Sequence, residues 1–139
     1  MFSNLFSRKP LGSNDEIDAK QAMAALMVRI AKSDDDYAIA ECERIDAILS
    51  ILYGLSPTEA SSLRNHAEAL EADAPDTVRF TRAIKDAVPY EDRFEVVRAL
   101  WQVVLADGER DHEEDALMRL LASLLGVNDR DSAIARKKA

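Results

Sequence analysis

Apolar residues recur along this chain at helical rather than strand spacing. Met23, Met27 and Ile30 stand at plus four and plus seven, with Ala24 and Ala31 alongside, and predict a helix that buries this stripe on a partner. Ser13 or Asn14, with acids just after, is the expected N-cap, and the helix should end near Ser33. A second helix is marked by Cys42, Ile45, Leu49 and Leu52 and is closed by Gly54, which adopts the left-handed conformation without a Cβ penalty. These two helices should form an antiparallel hairpin.

Ser56-Pro57-Thr58-Glu59 combines a capping box with proline at the first helical position, where a missing N–H costs nothing. The helix it opens has a narrow apolar face of Ala60, Leu63, Ala67 and Leu70, and its polar remainder, including Glu68 and Glu71, places it on the outside. After Ala74-Pro75-Asp76, a shorter helix carries Val78, Ile84 and Val88, with Asp76 or Thr77 as its cap. From Pro89 the next helix sets Phe94, Val97, Trp101 and Val104 on one face; its β-branched run also fits a buried strand, but its length and its match to the first helix favour the helix. Asp111 and Glu114 form an acidic capping box for a helix of Leu117, Leu121, Leu124 and Leu125 that Gly126 ends. Asn128 or Asp129 then caps a last helix finishing in Arg136, Lys137 and Lys138, cations suited to a helix C-terminus. The expected fold class is all-α, a compact seven-helix bundle.

Sliding the chain by seventy-three positions lays I-A-K-S-D-D-D-Y-A-I-A-E, beginning at Ile30, on V-V-L-A-D-G-E-R-D-H-E-E, beginning at Val103. Asp34 then meets Asp107, Asp36 meets Glu109 and Glu41 meets Glu114. Apolar positions coincide as well: Met27 with Leu100, Ile30 with Val103, Ile45 with Met118, Ile48 with Leu121 and Leu52 with Leu125. The coincidence predicts two hairpins, 24–55 and 97–128, related by a rotation near two-fold and each carrying an acidic turn. Two copies are too few for a solenoid, so the hairpins should pack together in one compact domain.

A chain of 139 residues with 47% hydrophobic residues supports one core and one domain, read here as 13–139 after a flexible tail at 1–12. Lysine and arginine number 18 against 26 acids, and the net charge of -8 repels phosphate backbones, which argues against nucleic acid and for cations or basic partners. The lone Cys42 cannot form an intramolecular disulfide; its apolar-face position predicts a buried, inert thiol and fits a reducing cytoplasm. The opening M-F-S-N-L-F-S-R-K-P has its basic residues after its apolar ones, the reverse of a secretory signal, and is too short to span a bilayer. Phe2, Leu5 and Phe6 beside Arg8 and Lys9 offer a weak membrane-surface contact instead.

Carboxylate clusters without histidine or cysteine suit hard cations such as calcium, magnesium or manganese. Asp34, Asp36 and Glu41, or Asp107, Glu109 and Glu114, are the candidate ligands. An EF-hand is excluded, because its twelfth position is Met118 in one copy and Ile45 in the other, and neither can ligate. Acids before a helix also cap N–H groups, which accounts for Glu114 with Asp111; Glu41, with Ala38 three residues earlier, is left without that explanation. His66 lacks a second ligand at helical spacing and His112 meets Ile39 in the other copy, so both are expected at the surface, and Trp101 is expected in the core. Paired carboxylates in wet turns lack the unequal environments that acid–base catalysis needs, so no enzymatic activity and no organic cofactor is expected.

A-K-S-D-D-D-Y with Glu41, and L-A-D-G-E with Glu114, resemble the A-x-A-D-G-x-hairpin-Glu signature of the tellurite-resistance TerB-like family, over residues 22–136. T-V-R-F-T-R-A-I-K-D-A-V-P-Y from Thr77 and G-V-N-D-R-D-S-A from Gly126 are similar to a small-protein branch of that family found in alphaproteobacteria. The resemblance implies an all-helical fold, a link to stress or tellurite resistance and a divalent-metal site at the acidic turns. Asp35 stands where that pattern has glycine, the place held by Gly108 in the second copy, so the first turn departs from the signature. Two functions follow as expectations. One is a cytoplasmic, cation-binding adaptor with a protein partner; the other is a metal-free interaction module, associated with the inner face of the membrane, in which the acids serve as helix caps.

Overall fold

A computed structural model describes residues 17–33, 37–74, 76–107 and 112–139, without the side chains of Asp107, His112, Glu113 and Glu114. Seven α-helices follow in order: α1 Ala19–Lys32, α2 Ile39–Tyr53, α3 Pro57–Asp73, α4 Val78–Ala87, α5 Arg93–Val104, α6 His112–Leu124 and α7 Asp129–Lys138. Single 3-10 turns, Tyr90–Asp92 and Leu105–Asp107, precede and follow α5. No strand occurs among the described residues, so the β-branched run within α5 is helical.

The chain is built around α1. Ala22 to Val28 are buried without a break, so this helix is covered on every side rather than along one stripe, and α3, α4, α5, α2 and α6 all pack against it. Four alanines among Ala22, Ala24, Ala25 and Ala31 let neighbouring backbones approach, while Met23, Leu26, Met27 and Ile30 fill the gaps between them. Each such fully buried side chain contributes roughly 1.5–3 kcal/mol. The cap of α1 is Asp18, not Ser13 or Asn14, which lie outside the described residues. A reciprocal box decides this: Gln21 N–H donates to Asp18 Oδ1 at 2.8 Å and Asp18 N–H to Gln21 Oε1 at 3.3 Å.

Other signals act where the pattern placed them. Ser33 ends α1, Ser56 and Glu59 cap α3 reciprocally with Pro57 in its first turn, and Asn128 caps α7 by accepting from Asp131 N–H. Gly54 closes α2 at φ +67°, and Gly126 follows α6 at φ +80°. At α4 the Asp76 carboxylate, not the Thr77 hydroxyl, takes the free Val78 N–H at 3.0 Å. Of the expected face of α4, Ile84 and Val88 are buried, joined by Phe80 and Thr81, while Val78 is exposed.

The seventy-three-residue offset reaches further than the hairpins. α2 begins at Ile39 and α6 at His112, seventy-three positions apart, and the spans of α1 and α5 also coincide at that offset to within a residue or two. α3 and α7 likewise begin one offset apart to within a residue, and α3 lies on α1 as α7 lies on α5. The recurring unit is therefore three helices long, with α4 between the copies.

Candidate functional site

Of the six candidate metal ligands, Asp34, Asp36 and Glu109 lie outside the described residues. Asp107 ends the 3-10 turn Leu105–Asp107, and Glu114 is the third residue of α6. Glu41 is the third residue of α2, and its role corrects the expectation drawn from Ala38. Its Oε1 accepts from the Ala38 N–H at 2.9 Å. This half of a capping box needs only the backbone of the cap residue, so a side chain on Ala38 is not required. One turn further along α2, Arg44 Nη1 donates to the Ala106 carbonyl oxygen at 3.0 Å, beside Asp107 in sequence. Residues three apart on a helix lie about 5–6 Å from one another. The start of α2 and the 3-10 turn Leu105–Asp107 therefore lie at one end of the fold, joined by an arginine. Among the described residues, no group of three or more His, Cys, Asp or Glu side chains converges closely enough to hold a metal ion.

The described residues on both sides of the first acidic stretch are tied to α3, which lies on the outside as expected but has Glu71 buried and Glu68 partly buried. Glu71, only 8% exposed, receives Arg29 Nε at 2.9 Å and Lys32 Nζ at 2.8 Å from the last turn of α1. Arg29 Nη2 also donates to the carbonyl oxygens of Glu71, at 3.1 Å, and Ala74, at 2.6 Å, closing the C-terminus of α3. Burial alone would raise the Glu71 pKa, but the hydrogen bonds and charges of Lys32 and Arg29 together outweigh it and hold the carboxyl below its usual value.

On the other side, the Tyr37 hydroxyl donates to Glu68 Oε2 at 2.6 Å. Arg64 bridges the same carboxylate, at 2.8 Å, to Asp46 of α2, at 2.7 Å. Burial, then the Glu68 carboxylate and the neighbouring Cys42, push the Tyr37 phenol pKa upward, because each disfavours a phenolate. Cys42 is half-buried rather than buried, since it stands at the Tyr37 rim of α2 while Ile45, Ile48 and Leu49 face the core. The sequence did carry a signal for the mooring: Arg29 and Lys32 on α1, and Glu68 and Glu71 on α3, are each an i, i+3 pair on one helix face.

The remaining singled-out residues are structural or superficial. Trp101 is 8% exposed, donates Nε1–H to the buried Ser132 Oγ at 3.1 Å and carries Arg136 over its ring at 5.3 Å. His66 is exposed and borders a groove with Asp18, Lys20, Gln21 and Glu59, whereas the His112 side chain lies outside the described residues. Among the described residues, no helix is long and apolar enough to cross a membrane. Phe2, Leu5 and Phe6 fall outside them.

Comparison with curated proteins and with solved structures gives no match. The profile of the family described as tellurite resistance protein TerB matches residues 20–137, from the first turn of α1 to the last turn of α7. With the all-helical fold and that span of agreement, the chain belongs to the TerB tellurite-resistance family.

Proposed function

We propose that this chain is a non-enzymatic, cytoplasmic adaptor in a tellurite-resistance-related stress response, and that its two acidic stretches respond to a divalent cation. The ligand set remains Asp34, Asp36 and Glu41 with Asp107, Glu109 and Glu114, on turns read as equivalent elements of a pseudo-two-fold pair of hairpins. The observation that carries the reading is the hydrogen bond from Arg44 to Ala106. It ties the second stretch to the helix that follows the first, so a change at either acts on α2. If the two turns face one another, their carboxylates repel, and a cation that neutralises them binds the folded state selectively. A hundredfold excess of such an ion over its dissociation constant stabilises the fold by about 2.7 kcal/mol.

One observation favours a second reading, a metal-free interaction module. The Glu41 carboxylate caps α2, and Arg44 already brings a positive charge to the second stretch. Thermal unfolding with calcium, magnesium or manganese against chelator, repeated on Asp107→Asn/Glu114→Gln, separates the two. A cation-dependent rise in Tm that the double substitution abolishes is expected. No rise at millimolar cation, with the substitutions costing only the ~1 kcal/mol of a lost cap, would remove the cation from the reading.

A further inference from the structure

We draw no further inference here: the strongest candidate, the solvent-facing side of α2 that carries the exposed Ile39 and Ile51 and borders the groove between α2 and α5, is an unpartnered apolar face, and nothing in the structure shows what covers it.

Discussion

Glu71→Gln tests the mooring of α1 to α3 most directly. Glutamine keeps the volume and one acceptor but removes the charge that faces Arg29 at 2.9 Å and Lys32 at 2.8 Å. Breaking a fully buried ion pair costs about 3–5 kcal/mol. Here the loss is smaller. The Lys32 side chain is 43% exposed and can turn to water, while Arg29 retains the carbonyl oxygens of Glu71 and Ala74. One charge-assisted hydrogen bond and the residual attraction remain to be lost, about 2 kcal/mol. For a chain of this length that corresponds to a fall in Tm of roughly 6–8 °C. Asp73→Asn, at an exposed acid on the same helix, is the control and should stay within about 0.5 kcal/mol.

The pH dependence fixes the sign. The Glu71 pKa is lowered in the fold, so the unfolded chain binds its proton first as pH falls, and stability rises with pH across that window. The contribution of Glu71 is complete above the unfolded value, near 4.3, and disappears as pH drops through the folded value. Urea unfolding of both proteins at neutral and at acidic pH should therefore give a difference that is largest near pH 7 and shrinks in acid. A difference that is the same at both, or absent at pH 7, refutes the claim that Glu71 is held as a paired carboxylate.

Two further substitutions test individual placements. Gly54→Ala should cost about 1 kcal/mol by chemical denaturation, and the cost is conformational, because φ is +67° while a Cβ there meets nothing within 4 Å. Trp101→Phe should cost about 1–2 kcal/mol in the same assay, since it removes the donor to Ser132 Oγ and leaves a 7% exposed hydroxyl unsatisfied.

The fold was legible because its signals are local. Capping boxes, the two glycines that end helices and the helical period each act within one turn of chain, and they placed most of the helices. What failed depended on partners distant in sequence. α1 was read as a striped helix because Met23, Met27 and Ile30 form a clear stripe, yet the alanines between them are equally buried once α3, α4 and α5 arrive. α3 is peripheral, as its polar face predicted, but the burial of Glu71 was not anticipated, because its countercharges, Arg29 and Lys32 of α1, lie up to 42 positions away; Glu68 is paired within α3 by Arg64. Glu41 was left unexplained because capping was treated as a property of the Ala38 side chain, when the Ala38 N–H is what needs an acceptor.

The repeat itself shows where local equivalence stops. At the seventy-three-residue offset the acids and the core positions recur, but Arg29 becomes Gln102 and Lys32 becomes Leu105. The cations that tie the first stretch to α3 therefore have no counterparts in the second copy, where the described anchor is instead Arg44, reaching from α2 to the Ala106 carbonyl. Beside the first turn the anchor is a buried carboxylate with two cations on it, whereas the one described beside Ala106 is a hydrogen bond from an exposed arginine. Two turns alike in sequence are thus flanked by different contacts.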